Sequence, residues 1–251
     1  MYVNPKKRLG QHFLIDEGIA EKIVTSLLKP NNNLIEIGPG TGVLTKYLFN
    51  ENRNNFFIID IDEESIEFLK TKYKAFENNI IQGDFLHYNM EKIFPDNFSI
   101  IGNFPYNIST QILFKVFENR NKVDELVGMF QKEVAERICS KPNSRKYGIL
   151  SVFIQAFYTT EYLFTVNENV FNPPPKVKSG VIRLTRNQTK ELNCDEKLFI
   201  AVVKTAFNQR RKTIRNSLKS MLNNTISPFD NNRAEDLSVN DFEILTNLIQ
   251  Q

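Results

Sequence analysis

The sequence predicts a Rossmann-like α/β domain followed by a small, all-helical C-terminal domain. Up to residue 186, short apolar runs alternate with segments of helical spacing, and this alternation is typical of a mostly parallel sheet covered by helices. From Asn187 onward the strand signals stop and only helical patterns remain. We therefore divide the chain into a first domain, residues 1–186, and a second domain, residues 187–251.

The strands and helices of the first domain follow from hydrophobic spacing. Short apolar runs predict buried strands at Leu34–Ile37, Phe56–Ile59, Ile80–Gln82 and Ser99–Gly102. Helical spacing covers Glu63–Phe76 and Ile108–Glu118. Two further strands are predicted at Glu161–Val166 and Gly180–Arg186. They enclose Phe171–Val177, whose three consecutive prolines predict a stiff loop outside the sheet.

The second domain reads as helices only. We predict one helical stretch over Glu196–Leu222, broken at most once, and an amphipathic helix over Leu237–Ile249. The first stretch carries an apolar stripe formed by Val203, Phe207, Ile214 and Leu218. Because Arg210 falls on this stripe, it is predicted to be partly buried and paired with an acid or a carbonyl of the large domain.

The composition excludes several classes of function. The two cysteines, Cys139 and Cys194, are far apart, and CxxC and HExxH motifs are missing, so we predict no metal site. No apolar run approaches the roughly 20 residues that span a bilayer, and the first residues lack the apolar stretch of a secretory signal. We expect a cytoplasmic monomer with free thiols. The net charge of +3 permits a nucleic-acid partner without requiring one.

A glycine loop follows the first predicted strand. The segment Leu34–Gly42 reads Leu-Ile-Glu-Ile-Gly-Pro-Gly-Thr-Gly, and Gly38 and Gly40 allow the backbone to approach a ligand closely. A dinucleotide fingerprint would need a glycine at position 43, where the chain has valine. The pattern Glu-x-Gly-x-Gly-x-Gly instead looks like the first motif of class I methyltransferases. The alternative is an ordinary turn between a strand and a helix.

Two acidic residues follow the next strands, at positions where they could bind the cofactor of a class I methyltransferase. Asp60 ends the second strand, at the position where an acid binds ribose hydroxyls in Rossmann-like sites. Asp84 follows the third strand and can accept a hydrogen bond from the cofactor's adenine amino group, with Phe85 or Ile61 packed against the ring. Asp62 is the competing ribose ligand, and helix capping is the alternative role of each acid.

The segment Asn103-Phe-Pro-Tyr106 follows the fourth strand. The exocyclic amine of adenine is a poor nucleophile, and the side-chain oxygen of Asn103 and the backbone carbonyl of Pro105 could accept its hydrogen bonds and stabilise the developing positive charge. Tyr106 offers a ring on which an extruded base can stack. The three residues are our candidates for the catalytic site. The alternative is a proline turn with an aromatic residue in the core.

These motifs together resemble the KsgA family of rRNA adenine dimethyltransferases over almost the full length. The matching segments are residues 7–14 (KRLGQHFL), 36–40 (EIGPG), Gly83-Asp84, 102–110 (GNFPYNIST), 171–177 (FNPPPKV) and 207–215 (FNQRRKTIR). The resemblance implies S-adenosylmethionine as cofactor and two methyl transfers to each of two adjacent adenines near the 3′ end of small-subunit rRNA. It also implies a partly assembled small subunit as the partner.

The resemblance assigns further cofactor contacts. His12 and Leu14 fall where the family's N-terminal segment touches the cofactor, and Gly38, Asp60, Asp84 and Asn103 fall on its remaining contacts. Asn103 would then serve both cofactor and adenine. Three positions depart from the common pattern. His12 replaces asparagine, Asp60 replaces glutamate, and Phe104 replaces leucine, so Phe104 is expected to narrow the base pocket.

Basic residues in the second domain are candidates for RNA contacts. Arg211, Arg215 and Lys219 are spaced by four residues, which would place them on one helix face with Lys212 beside them. Such a row can follow phosphates, and no acidic residue lies between positions 204 and 219. The alternative is a solvated helix face. Phe171 and the cluster Lys6–Arg8 are further candidates for contacts with the substrate.

Three other functions remain open at this point. Erm methyltransferases share the glycine loop but modify large-subunit rRNA, and the segments 171–177 and 207–215 resemble KsgA more than Erm. A DNA adenine methyltransferase would use a similar target motif. An assembly factor that acts mainly by binding would not need an intact Asn103–Tyr106 segment.

Overall fold

The computed structural model describes residues 3–28, 33–49 and 55–250. Its strands are β1 (Phe13–Leu14), β2 (Asn33–Ile37), β3 (Phe56–Asp60), β4 (Ile80–Gln82), β5 (Phe98–Asn103), β6 (Val123–Gln131), β7 (Tyr158–Val166), β8 (Phe171–Asn172) and β9 (Ser179–Arg186). Seven of these described strands form one sheet in the order β4–β3–β2–β5–β6–β9–β7, while β1 pairs with β8. The predicted α/β fold is confirmed, and all six predicted strands are present.

Five neighbouring strands of the sheet are parallel. β2 pairs with β3 on one side and with β5 on the other, so that Leu34 lies opposite both Phe56 and Ser99. β4 continues the sheet beyond β3 and β6 continues it beyond β5, whereas β9 runs antiparallel to β6. The chain order thus reverses between β2 and β5. Open α/β sheets bind ligands at such a switch point, beyond the carboxyl ends of the strands.

The described helices are α1 (Glu17–Val24), α2 (Thr45–Phe49), α3 (Glu63–Lys72), α4 (Ser109–Glu118), α5 (Lys132–Ile138), α6 (Ile149–Phe157), α7 (Glu196–Asn208), α8 (Ile214–Ser217), α9 (Lys219–Leu222) and α10 (Val239–Gln250). α3 ends before the predicted Phe76, because Tyr73 leaves the helical conformation and a 3-10 segment follows. Among the described residues, no helix has both the length and the apolar character needed to cross a membrane.

The contacts within the chain define two compact units. The first contains Met1–Ala135 and Glu161–Arg186, and the second contains Glu136–Thr160 and Asn187–Gln251. The division predicted from the sequence differs in one respect, since it assigns residues 136–160 to the first domain. The reason lies in α6, which is apolar and buried over most of its length and packs against α7 and α10. Local spacing in the sequence does not reveal that partnership.

Aromatic rings form the core of the second unit. Phe199 of α7 lies between Phe153 of α6 and Phe242 of α10, with ring centroids 6.4 and 6.5 Å apart. Phe207, on the last turn of α7, also contacts Phe242 at 6.0 Å. The apolar stripe predicted for this region therefore faces a real core.

The helical stretch predicted over Glu196–Leu222 is broken twice, so the expectation of at most one break was wrong. α7 ends at Asn208, and residues 209–213 form a turn before α8. A second break separates α8 from α9 at Leu218. Residues 208–213 are all polar, so a continuous helix there would have no apolar face to bury.

Arg210 is partly buried in this turn, as predicted. Its guanidinium pairs with Glu235 and donates a hydrogen bond of 2.6 Å to the backbone carbonyl of Arg145. Arg145 lies within residues 1–186, the large domain predicted from the sequence, although the contacts within the chain group all three residues in the second unit. The contacts fix the turn between α7 and α8.

Arg210→Ala is expected to lower the melting temperature by about 2–4 °C, because it removes charge-assisted hydrogen bonds from a half-buried site. Arg211→Ala is the matched control, since Arg211 is exposed. Thermal unfolding followed by circular dichroism measures both variants. Equal melting temperatures for the two would contradict a structural role for Arg210.

Candidate active site

A cleft lies at the carboxyl ends of the parallel strands in the first unit. It encloses about 780 Å³, a volume that includes open solvent at its mouth. Residues from five parts of the chain line it: residues 9–13, Gly38 and Gly40 after β2, Asp60 and Ile61 at the end of β3, Asp84 and Leu86 after β4, and residues 103–108 at the end of β5 and beyond it. The switch point of the sheet thus carries most of the predicted site.

The glycine loop brings backbone to the wall of the cleft. Gly38 and Gly40 have φ angles of +66° and +55°, a region that L side chains rarely adopt. A Cβ atom on Gly40 would also lie 2.8 Å from the ring of Phe13. Any larger residue at position 40 would have to displace this ring, so the close approach depends on glycine.

The carboxyl group of Asp60 is held under the loop. Its Oδ1 accepts a hydrogen bond of 2.9 Å from the backbone N–H of Asp62, and its Oδ2 lies 3.4 Å from the N–H of Gly40. Burial raises the pKa of Asp60 to about 6, although the backbone hydrogen bonds oppose the shift. Asp62, the competing candidate, does not line the cleft. Its carboxyl accepts hydrogen bonds from Lys6, Gln11 and Ser65.

Asp84 is held in a tight turn after β4. Its Oδ1 accepts a hydrogen bond of 2.9 Å from the backbone N–H of Leu86, and its Oδ2 lies 2.6 Å from Nδ1 of His87. Ile61 is 54% exposed and lines the cleft together with Leu86. Phe85, the other residue predicted to pack on an adenine ring, is buried and points away from the cleft wall. Leu86 takes the place that the sequence analysis gave to Phe85.

The side chain of Asn103 is oriented by the N-terminal segment. Its Nδ2 donates a hydrogen bond of 2.9 Å to the backbone carbonyl of His12. A carbonyl can only accept, so the amide nitrogen must face His12 and the Oδ1 must face the other way. Within the described part of the chain, no group donates a hydrogen bond to this oxygen. The Asn103 oxygen is therefore left to accept one from a ligand.

The next residues of the target motif also line the cleft. The carbonyl of Pro105 accepts a hydrogen bond of 3.2 Å from the N–H of Ile108, which leaves its second lone pair for another donor. The hydroxyl of Tyr106 lies 2.5 Å from Oγ of Ser179, and its ring centroid is 5.6 Å from that of His12. Burial raises the pKa of Tyr106, so the hydroxyl stays neutral. The Tyr106 ring is thus fixed at its outer edge.

The N-terminal segment is tied down along its length. Lys6 pairs with Asp62 and Glu64, and Nδ1 of His12 lies 2.8 Å from the carbonyl of Pro173. Lys6 was a candidate for RNA contact, and these ion pairs give it a structural role instead. Leu14 is predicted to touch the cofactor, but its side chain is buried and borders only a smaller cavity behind the cleft.

Phe104, which was expected to narrow the base pocket, lines the cleft with only a small part of its surface. Its side chain is only 1% exposed and packs against Phe130, with ring centroids 5.0 Å apart. The ring lies over Gly102 and Gly128, which face each other on β5 and β6. A Cβ atom on Gly128 would overlap the ring, well inside the 3.0 Å that real Cβ atoms keep. Two facing glycines therefore make room in the core for the phenylalanine.

The structure separates the predicted substrate contacts from the cleft. Phe171 is 3% exposed and pairs with Leu14 between β8 and β1, so its side chain offers little surface to a substrate. Three cleft residues inside the quoted motifs were not named as site residues from the sequence: Gln11, Asn107 and Ile108. Their only signal was their position next to residues already singled out.

The basic residues of the second unit do not form the predicted row on one helix. Arg211 and Lys212 lie in the turn after α7, Arg215 lies in α8, and Lys219 begins α9. Arg215 also has an acidic partner outside the segment, since its guanidinium lies 3.1 Å from Asp230. The Lys212 ammonium donates to Oε1 of Gln209. The helix breaks place these four residues on three elements.

Comparison with known proteins identifies the family. The model of the family described as ribosomal RNA adenine dimethylase matches residues 3–251. The chain belongs to this family. It is 55% identical to the ribosomal RNA small subunit methyltransferase A of Cytophaga hutchinsonii, covering 98% of each chain. It is 56% identical to the protein of the same name from Flavobacterium johnsoniae, covering 99% of this chain and 97% of that one.

Two solved methyltransferase structures share the fold. A dimethyladenosine transferase from Plasmodium falciparum superposes with a TM-score of 0.78 at 27% identity, covering 95% of this chain and 97% of that one. The 23S rRNA methyltransferase ErmE superposes with a TM-score of 0.72 at 23% identity, covering 95% of this chain and all of the other. The latter likeness concerns the fold alone.

The protein is therefore a methyltransferase whose cofactor is S-adenosylmethionine. The cleft fits this group. The Gly38–Gly40 backbone forms a cradle that a side chain would fill, and a buried carboxyl, Asp60, faces it for ribose hydroxyls. Asp84 offers an acceptor and the exposed Ile61 an apolar surface for the adenine ring. These residues would hold the cofactor.

Behind the cleft, Glu36 is completely buried at the end of β2. The hydroxyl of Thr45 donates a hydrogen bond of 2.6 Å to its Oε2. Burial raises the pKa of Glu36 to about 8, so the group is mostly protonated at neutral pH. The sequence analysis recorded Glu36 only as part of the glycine motif.

The affinity for S-adenosylhomocysteine is expected to fall as the pH drops below about 6, by up to about tenfold per pH unit. Ribose hydroxyls are expected to donate to the ionised carboxylate of Asp60, and its pKa of about 6 means that protonation would compete with this binding below that pH. Titration calorimetry between about pH 5 and 8 measures this. The Asp60→Asn variant should bind S-adenosylhomocysteine more weakly, and its affinity should no longer depend on pH in this range. A wild-type affinity that stays flat to the lowest pH would contradict the role of Asp60.

Gly128→Ala is expected to lower the free energy of unfolding by about 1–3 kcal/mol, because the new methyl group overlaps the Phe104 ring. Methyl transfer should fall with it, since moving Phe104 also moves Asn103 and Pro105. The double variant Gly128→Ala/Phe104→Leu should recover most of both losses. Gly18→Ala, at a helical glycine with ordinary space around it, is the control. Additive losses in the double variant would contradict the packing argument.

Proposed function

We propose that the protein dimethylates N6 of two adjacent adenosines near the 3′ end of small-subunit (16S) rRNA. The names of the two curated relatives, at 55% and 56% identity, support the choice of the small subunit. The family description supports adenine as the base and two methyl groups as the product. The same reaction is supported independently by the chemistry of three cleft residues, Asn103, Pro105 and Tyr106.

The orientation of the Asn103 amide carries this proposal. Because Nδ2 is engaged by the His12 carbonyl, the oxygen is available as an acceptor in the cleft that Pro105 also lines. Two acceptors in one cleft suit an amino group with two N–H donors, such as N6 of adenine. A hydroxyl or a ring nitrogen could not use both. The pair therefore favours an exocyclic amine as the nucleophile.

These acceptors also account for the catalysis. S-adenosylmethionine supplies an electrophilic methyl group on a sulfonium. In the first transfer, the Asn103 oxygen and the Pro105 carbonyl would hold the two N6 protons, direct the nitrogen lone pair toward the methyl carbon and stabilise the positive charge that develops on nitrogen. In the second transfer, one of the two acceptors would hold the single N6 proton that remains. As the new C–N bond forms, the old C–S bond breaks. The resulting ammonium then loses a proton to water, so the site needs no strong base.

The ring of Tyr106 completes the base site. Its hydroxyl is fixed by Ser179, so the ring presents a stable face within the cleft. Stacking on such a face contributes about 1–3 kcal/mol per base and tolerates a base drawn out of its helix. This supports a flipped adenine as the substrate.

Basic residues of the second unit would contact the RNA backbone. Arg211, Lys212 and Lys219 are the exposed candidates with no acidic partner within the described part of the chain, whereas Arg215 would first have to leave Asp230. Contacts to phosphate give affinity that depends on salt and little on sequence. The specificity for the target would then come from the immature small ribosomal subunit, which we propose as the partner. We further propose that the protein acts as a monomer in the cytoplasm, where subunits assemble.

The decisive experiment transfers labelled methyl groups from S-adenosylmethionine to small subunits that lack the modification. The expected product is N6,N6-dimethyladenosine in small-subunit rRNA. Asn103→Ala should reduce the rate at least about a hundredfold, the usual effect of removing one such electrostatic contact. Asn97→Ala is the matched control, because Asn97 precedes the same strand β5 at its opposite end.

Each other outcome selects a different function. Label confined to large-subunit RNA would support an Erm-type activity, and label in duplex DNA but not in ribosomal particles would support a DNA methyltransferase. Tight binding to the particle without any label would support an assembly factor. An Asn103→Ala variant as active as Asn97→Ala would remove the basis of the proposed chemistry.

A further inference from the structure

Lys115 reaches from α4 to the turn that follows β4. Its ammonium donates hydrogen bonds to three backbone carbonyls of that turn: Phe85, Leu86 at 3.0 Å and Tyr88 at 2.7 Å. An ammonium group has three N–H donors and no acceptor, so all of its hydrogen-bonding capacity is used on this turn. The ammonium also lies over the Phe85 ring, 4.9 Å from its centroid.

The partners of Lys115 are neutral. Within the described part of the chain its ammonium has no carboxylate within ion-pair distance, and it is half-buried. Burial lowers the pKa of Lys115, against the weaker influence of Asp84 and Glu118. A lysine that is partly removed from water and bound only to carbonyls loses hydration without gaining a salt bridge. Such an arrangement is consistent with a lysine whose role is to hold these carbonyls in place.

The turn that Lys115 contacts contributes two residues to the lining of the cleft, Asp84 and Leu86. The N–H groups of His87 and Tyr88 donate to the carbonyl of Asp84 at 3.1 and 2.9 Å, and the Asp84 carboxylate accepts from the N–H of Leu86 at 2.9 Å. The start of the turn is therefore closed by Asp84 and its end by Lys115. Converging carbonyl dipoles at the end of such a turn are stabilised by a cation, as at the end of a helix.

We propose that Lys115 is a positioning residue that holds the Asp84–Tyr88 turn in the conformation that binds the adenine of the cofactor. The inference rests on the proposed contact between Asp84 and that adenine. Lys115 itself does not line the cleft, so it acts through the backbone of the turn. Because α4 starts three residues after Tyr106, the same helix connects the cofactor turn to the target motif.

The test compares Lys115→Met with Lys122→Met in the full-length protein. Methionine keeps the apolar stem and loses the donors. Lys122 also donates to a carbonyl, that of Pro95 at 2.7 Å, but it stands before β6 and away from the cleft. Lys115→Met should weaken S-adenosylhomocysteine binding about tenfold, measured by titration calorimetry, and should leave kcat at saturating cofactor within about twofold. Lys122→Met should change neither.

Hydrogen exchange in the cofactor-free protein tests the turn directly. The backbone amides of His87 and Tyr88 should exchange faster in Lys115→Met, whereas amides in β3 should not. Lys115→Arg, which keeps charge and donors, should recover at least half of the lost affinity, and it also serves if the methionine variant folds poorly. Unchanged affinity, a loss of affinity without faster exchange in the turn, or an arginine variant as weak as the methionine variant would each overturn the proposal.

A separate variant tests the proposed contact between Asp84 and the adenine of the cofactor, on which the inference rests. Asp84→Asn tests the adenine contact, because it changes the ligand group while keeping a side chain that can still close the turn. If Asp84→Asn binds S-adenosylhomocysteine normally, the proposed adenine contact is wrong, and the affinity and exchange of Lys115→Met still decide whether Lys115 positions the turn for the cofactor.

Discussion

The hydrogen bond between the Asn103 amide and the His12 carbonyl joins the end of a central strand to the N-terminal segment. The direction of this bond determines which atom of Asn103 remains available to a substrate. It depends in turn on the anchors of the N-terminal segment, namely Lys6 at Asp62 and His12 at Pro173. One amide orientation thus requires the segment before β1, the start of α3 and the proline loop to be in place together.

The fold places these parts at one edge because parallel strands end together. Asp60, Asp84 and Asn103 are far apart in the sequence, yet each follows or ends a strand of the same sheet. This could be predicted, because buried parallel strands read as short apolar runs and the functional residues come directly after them. The glycine loop and the Asn103–Tyr106 motif were found for the same reason.

Other features could not be predicted, since they depend on contacts between distant residues. β6 escaped notice because Asp124 and Glu125 interrupt its apolar pattern, and Glu125 is nevertheless buried. The choice between Phe85 and Leu86 as a wall of the cleft depends on the turn that Lys115 holds. Arg215 and Lys219 were placed on one helix because spacing alone does not show that a polar run ends α7. In each case the residue type indicated the chemistry that the side chain can perform. The place of that side chain in the structure depended on the fold.

The packing of the Phe104 ring against Gly102 and Gly128 limits how this sequence can evolve. The ring fills space that exists only because positions 102 and 128 have no side chain. A smaller residue at 104 alone would leave a cavity beneath the target motif, and a larger residue at 128 alone would overlap the ring. Mutational paths through either single step are disfavoured, so the identities of residues 104 and 128 are expected to be inherited as a pair among relatives.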